Sequence, residues 1–199
     1  MAPFNHYRLT PLDRKKALEA VNLIKEKRCG NIKGRTCANG RKQRNHLKPD
    51  ESVYSPTCST KALTENLFIY LMEKRDVTIF DLPGYFLQTA LPADKFLLMR
   101  IRYEFVDVMC EVNPKNIPYV RYDNGKKVPY VNILKSIYGC IESAFLWYKL
   151  YSETLEGMGF VINTYDLCVA NKIINVDQCI IVWYVDDKNL SHVDLNVVT

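Results

Sequence analysis

The sequence predicts an α/β chain of the α+β kind, in which an antiparallel sheet packs on helices. Three observations predict it. Short runs rich in β-branched and aromatic residues, at 77–80, 168–174 and 179–185, are each bounded by turn-forming residues. Two longer windows, 61–73 and 143–158, repeat apolar residues at the spacing of a helix face. Asn-Gly pairs at Asn39-Gly40 and Asn124-Gly125 mark tight hairpin turns.

Taken in order, residues 12–27 read as an amphipathic helix. Leu18, Val21, Leu23 and Ile24 supply its apolar positions, and Cys29-Gly30 a stop. The basic segment 32–44 reads as two short strands joined at Asn39-Gly40. A loop at 54–60 leads into the helix 61–73, with Ala62, Leu63, Leu67, Leu71 and Met72 as its periodic apolar residues. Val77, Thr78, Ile79 and Phe80 read as a short buried strand, ended by Asp81 and broken at Pro83-Gly84. Residues 97–101 suit a further strand, and 113–127 a turn-rich excursion that closes at Asn124-Gly125. The helix 143–158 turns Ala144, Leu146, Trp147, Leu150, Tyr151 and Leu155 inward and exits at Gly157 and Gly159. Two strands joined at Asn175-Val176-Asp177 complete the pattern. The division read from this pattern is a basic helix and hairpin over 1–60, followed by a sheet-bearing region over 61–199.

Charge is unevenly spread. Residues 1–49 hold thirteen Lys and Arg against three Asp and Glu, a net of +10. The remainder holds fourteen against nineteen, a net of −5, which together give the +5 of the whole chain. That split points to a polyanion at the basic end and cation chemistry at the acidic end. The 48% hydrophobic content is ordinary globular composition. No apolar run nears the roughly 18 residues of a membrane span, so no membrane partner is expected. Seven scattered cysteines with no Cys-x-x-Cys pair point to reduced thiols in a cytoplasmic or nuclear setting.

The chemistry concentrates at Tyr184-Val185-Asp186-Asp187, directly behind the apolar run Cys179-Ile180-Ile181-Val182-Trp183. Adjacent carboxylates repel and resist losing water, so a fold holds them most easily beside a cation. Magnesium takes oxygen ligands of this kind. Asp-Asp followed by Lys188-Asn189 is equally good turn composition. Asp81 stands at another strand end, 105 positions earlier, where it would also serve as a helix N-cap. Carboxylates from two neighbouring strand ends suit a two-metal clamp.

These residues resemble the reverse transcriptase of copia-type long-terminal-repeat retrotransposons, most closely in wording those of diatoms. Asp81-Leu82-Pro83-Gly84-Tyr85-Phe86-Leu87 is similar to the first catalytic motif. Leu134-Lys135-Ser136-Ile137-Tyr138-Gly139 with Ser143 and Trp147-Tyr148 is similar to the Ser-Leu-Tyr-Gly segment and its sequel. Gly159-Phe160 with Asp166-Leu167-Cys168 resembles the segment before the catalytic hairpin, and Tyr184-Val185-Asp186-Asp187 the hairpin itself. The likeness implies a fingers–palm core that performs RNA-directed DNA synthesis on a primer–template with deoxynucleoside triphosphates. It implies Mg²⁺ or Mn²⁺ held by Asp81 and Asp186, with Asp187 adding charge.

The resemblance further implies that Lys33 and Arg35 contact the triphosphate and that Phe86 stacks under the sugar to exclude a 2′-hydroxyl. Tyr138 and Gly139 would lie under the nucleotide. Arg28, Arg41, Lys42, Arg44 and Tyr184 would contact nucleic acid. On the residues alone, Phe86 reads as core, as most such phenylalanines are, and the basic hairpin equally as a solvated face. Such proteins act as polyprotein segments beside other retroelement segments, in a cytoplasmic virus-like particle or the nucleus.

Three departures stand out. Ile141-Glu142-Ser143-Ala144-Phe145 replaces a stretch that carries two cations in the family. Lys188-Asn189-Leu190-Ser191-His192 is polar where an apolar strand is usual. The chain ends twelve residues past Asp187, so the expectation is a truncated fragment lacking the thumb and ribonuclease H segments. Two alternatives follow: a catalytically inactive nucleic-acid-binding remnant, or a two-metal nuclease, disfavoured for want of a third acidic or histidine motif. His6, His46 and His192 are scattered and expected at the surface.

Overall fold

The computed structural model describes residues 2–3, 9–46 and 53–199, in two compact units. Unit 1 takes Met1–Ser52 and Phe86–Ser143; unit 2 takes Val53–Tyr85 and Ala144–Thr199. Each unit therefore draws on two separate stretches of chain, where a division into 1–60 and 61–199 gives each region one. The fold is mixed α/β, with largely antiparallel sheets packed on helices.

In unit 1 the strands are β1 (Ala2–Pro3), β2 (Leu18–Glu26), β3 (Ile32–Ala38), β5 (Leu98–Arg100) and β8 (Tyr130–Asn132), in the order β1-β8-β5-β2-β3. Only the β2–β5 pair within it is parallel. A separate hairpin joins β6 (Arg121–Asp123) to β7 (Lys126–Val128). Its turn is the expected Asn124-Gly125, both residues at positive φ, 51° and 77°, as a type I′ turn requires. The α-helices among the described residues of this unit are α1 (Pro11–Lys16) and α3 (Tyr103–Val112).

Two expectations fail here. The helix read over 12–27 is a single short α1 followed by strand β2. Thr10 and Asp13 form a reciprocal capping box on α1, but Ala17 ends it. Leu18 and Ala20 then alternate into a core with Ala38, Met99, Val131 and Ile133, and β2 is laddered on both sides. Burial at period two, with two strand partners, outweighs the helical propensity of Ala and Leu. The second failure is the basic hairpin. Its partner strands are β2 and β3, joined through residues 27–31, where the Lys27 amide donates to Asn31 and the Gly30 amide to Lys27. Asn39-Gly40 instead opens a 3₁₀ turn, Gly40–His46, and the Asn39 side chain accepts the Arg41 amide.

In unit 2 the sheet order is β4-β12-β11-β10-β9, antiparallel throughout: β4 (Asp76–Asp81), β9 (Val161–Ile162), β10 (Val169–Ile174), β11 (Asp177–Tyr184) and β12 (Asp187–His192). Helices α2 (Thr60–Glu73), α4 (Ser143–Gly157) and α5 (Leu195–Val198) pack with it. Ala62 of α2 joins Val169, Ile180 and Val182 in one cluster, while Tyr148 and Tyr151 of α4 meet the Trp183 ring.

The windows 61–73 and 143–158 are helices as expected, but α2 turns a different face inward. Its buried residues are Ala62, Asn66 and Tyr70, at intervals of four, whereas Leu63, Leu67, Leu71 and Met72 are exposed. Asn66 is tolerated inside because its amide donates to the Ala62 carbonyl at 2.8 Å. Strand β4 is not wholly buried either: Val77 and Ile79 are 39% and 75% exposed, and Thr78 and Phe80 are half-buried. An edge strand covered on one face alternates in this way.

Candidate functional site

The site in unit 2 is built from β11, its turn, and β12 with β4 beside it. The apolar run from Cys179 to Trp183 is buried, which anchors β11 in the sheet. Its polar continuation then leaves the core through a two-residue turn, Val185-Asp186, and Asp187 starts β12. Asp187-Lys188-Asn189, which has turn composition, and the polar residues that follow to His192 instead form one strand that pairs with β11 on one side and β4 on the other. Lys188, Ser191 and His192 in that strand are buried.

The ladder places Asp187 directly opposite Asp81. Cross-strand partners share a face with Cβ atoms roughly 4.5–5.5 Å apart, so two exposed carboxylates stand side by side. Asp186 lies one residue earlier, in the turn. The expected meeting of positions 81 and 186 is thus, in the register, a pairing of 81 with 187 next to 186. Asp81 caps no α-helix: a turn at Pro83-Gly84 and a 3₁₀ segment, Tyr85–Gln88, follow it.

Val185 bears strain at this point. Its φ of 56° lies in the left-handed region, which a β-branched residue seldom enters. Such strain persists only where surroundings over-determine the backbone. They do: the Trp147 indole donates to the Val185 carbonyl at 3.1 Å, and the Lys188 ammonium donates to Val185 at 3.2 Å and to the Asp186 carbonyl at 2.7 Å.

Lys188 is the feature that the sequence concealed. It is 1% exposed, on the opposite face of β12 from Asp187. Its ammonium sits among three rings, 5.2 Å from the centre of Trp147, 5.3 Å from Tyr151 and 5.8 Å from Tyr85. Burial pushes its pKa down, and Asp186, Asp81 and Asp187 pull it back up. The only sequence signal was its place within a stretch that departs from the apolar pattern. His192 likewise corrects its expected surface position. It is buried, with Nε2 3.1 Å from the Ile174 carbonyl and Nδ1 accepting the Asp194 amide. His6 lies outside the described residues.

The donor chemistry of Asp81, Asp186 and Asp187 fits a hard divalent cation, being oxygen only and partly or fully open to solvent. Among the described residues, no group of three or more His, Cys, Asp or Glu converges closely enough to hold an ion unaided. A cation here would complete its shell with water or with oxygen atoms of a substrate.

Unit 1 gathers a second group. The Arg35 guanidinium lies 4.2 Å above the Tyr138 ring, and Phe86 meets the same ring edge-on at 4.9 Å. Phe86 is buried, Tyr138 is half-buried, and Lys33 and Arg35 are exposed on β3. Gly139 has φ 88°, and a Cβ there would overlap the Ala38 carbonyl. Its glycine serves a close approach of two main-chain segments, reinforced by the Ala38 amide donating to Tyr138. Arg28, Arg41, Lys42, Arg44 and Tyr184 are all exposed. No helix among the described residues is long and apolar enough to cross a membrane.

The seven cysteines are free. Burial raises the thiols of Cys140 and Cys168 to about 12 and that of Cys58 to about 11, which makes them poor nucleophiles. Comparison with protein-family models, curated proteins and solved structures finds no match to this chain.

Proposed function

We propose that the chain is the fingers–palm core of an RNA-directed DNA polymerase of the copia retroelement type. The observation that carries this reading is the pairing of Asp81 with Asp187 across adjoining strands, beside Asp186 in a strained two-residue turn. Like charges directly opposite destabilise a sheet, and a cluster of open carboxylate oxygens suits a hard divalent cation. Asp81 and Asp186 would hold Mg²⁺ or Mn²⁺, with Asp187 adding negative charge. Bound there with a nucleoside triphosphate, such an ion supplies Lewis acidity for in-line phosphoryl transfer.

The remaining roles belong to side chains. Lys33 and Arg35 offset charge on the triphosphate, Arg35 with the planar fork that suits phosphate oxygens. Phe86, which the resemblance assigns to excluding a 2′-hydroxyl, is buried edge-on against Tyr138 and would offer such a group no polar partner. Exposed Arg28, Arg41, Lys42 and Arg44 suit contacts to a primer–template backbone. Activity of this kind belongs to a retroelement particle in the cytoplasm or to the nucleus.

Primer extension with deoxynucleotides on an RNA template, in Mg²⁺ and in Mn²⁺, tests the reading. Template-dependent incorporation is expected, with a loss of at least about a hundredfold in Asp186→Asn. Incorporation that persists in that variant refutes the assignment. A second reading is a catalytically inactive nucleic-acid-binding remnant, favoured by the lack of a converged three-donor group among the described residues. Salt-sensitive binding with no extension in either metal would select it.

A further inference from the structure

The polymerase reading gives Lys188 no task, yet two carbonyls and three rings hold its ammonium. Taking an ammonium out of water is costly unless it is well bonded. Among the described residues, its hydrogen bonds go to two main-chain carbonyls, those of Val185 and Asp186, and three rings surround it. An apolar side chain of similar volume would fill that aromatic box, and such replacements of buried charge are often neutral or stabilising. What an apolar residue would not supply is a positive charge beneath three carboxylates. Asp187 and Lys188 alternate across β12, so the charge acts from the underside of the strand while Asp81 and Asp187 share the open face.

We infer that Lys188 is the internal counter-ion and a positioning residue of the hairpin. Its ammonium clamps the Val185 and Asp186 carbonyls and offsets repulsion among Asp81, Asp186 and Asp187. It thereby sets how tightly those carboxylates take a divalent cation. The inference rests on the polymerase reading for what the cation then does. The clamp itself holds the turn whether or not an ion is present. In return, a fixed positive charge competes with an arriving ion, so the site trades affinity for a hairpin formed in advance.

Manganese titration followed by electron paramagnetic resonance, without primer or nucleotide, tests this on the wild type, Lys188→Met and Lys188→Arg. Removing the charge in Lys188→Met is expected to tighten Mn²⁺ binding roughly three- to tenfold, whereas Lys188→Arg stays near the wild type. Circular dichroism melts establish that each variant is folded. Should the methionine variant not fold, Lys188→Gln, which keeps a donor for one carbonyl, is expected to move in the same direction. Unchanged or weaker Mn²⁺ affinity in a folded, uncharged variant overturns the role. If that occurs while Asp186-dependent incorporation is intact, the counter-ion role alone fails. Tightened binding without any incorporation by the wild type overturns the polymerase reading alone.

Discussion

At the scale of single residues, the site stores unfavourable energy in identifiable places. Asp81 faces Asp187, Val185 sits at positive φ, and Lys188 is charged and buried. Each runs against a local preference, and such conflicts gather where a fold serves something other than stability. The carboxylate pair gives a direct prediction. Asp187→Asn removes a like-charge neighbour while keeping shape, so urea unfolding in the presence of a chelator should show a gain of about 0.2–1 kcal/mol. Adding Mg²⁺ should stabilise the wild type more than this variant. A loss of stability in the chelator would mean that the two carboxylates do not burden the fold. Gly139 shows the opposite logic, because its missing Cβ lets two stretches of main chain touch within unit 1.

At the scale of elements, the hairpins and helices show which local signals are decisive. Asn124-Gly125 makes its hairpin because both residues must adopt positive φ and little else competes there. Asn39-Gly40 carries the same signal but opens a 3₁₀ turn, since β3 is already paired along its length with β2. Helix α2 begins where the Ser59 hydroxyl accepts the Ala62 amide at 3.1 Å, and the Ser59 amide donates to Asp166 at 2.8 Å. Loss of this N-cap in Ser59→Ala should cost about 1 kcal/mol in chemical denaturation. A cost near zero would show that the loop, rather than the cap, fixes the start of α2. The exposed stripe Leu63, Leu67 and Leu71 explains why apolar periodicity misassigned the buried face: a second apolar row lies beside the true one.

For the molecule as a whole, charge is the property that sequence and structure describe alike. The basic excess of residues 1–49 belongs to unit 1, where Arg28, Lys33, Arg35, Arg41, Lys42 and Arg44 are exposed. Binding to a nucleic acid should therefore weaken steeply with salt, in proportion to the phosphates neutralised. Arg41, Lys42 and Arg44 replaced together by alanine should lower the slope of log affinity against log salt by about two to three, with equal effect on unrelated sequences. An unchanged slope would remove the 3₁₀ turn from the interface. This measurement needs no catalysis, so it holds under either functional reading.

The sequence by itself determined the mixed α/β class, the helices 61–73 and 143–158, and the hairpins that turn at Asn124-Gly125 and at Asn175-Val176. These rest on local periodicity, turn chemistry and runs of β-branched residues, which act over a few positions. Only the tertiary structure decided that 18–26 is a strand, that Asp81 is opposite Asp187, and that Lys188 and His192 are inside. Those outcomes depend on partners distant in the chain. A strand forms where two neighbours can ladder it, and a lysine enters a core only where carbonyls and rings are waiting to receive it.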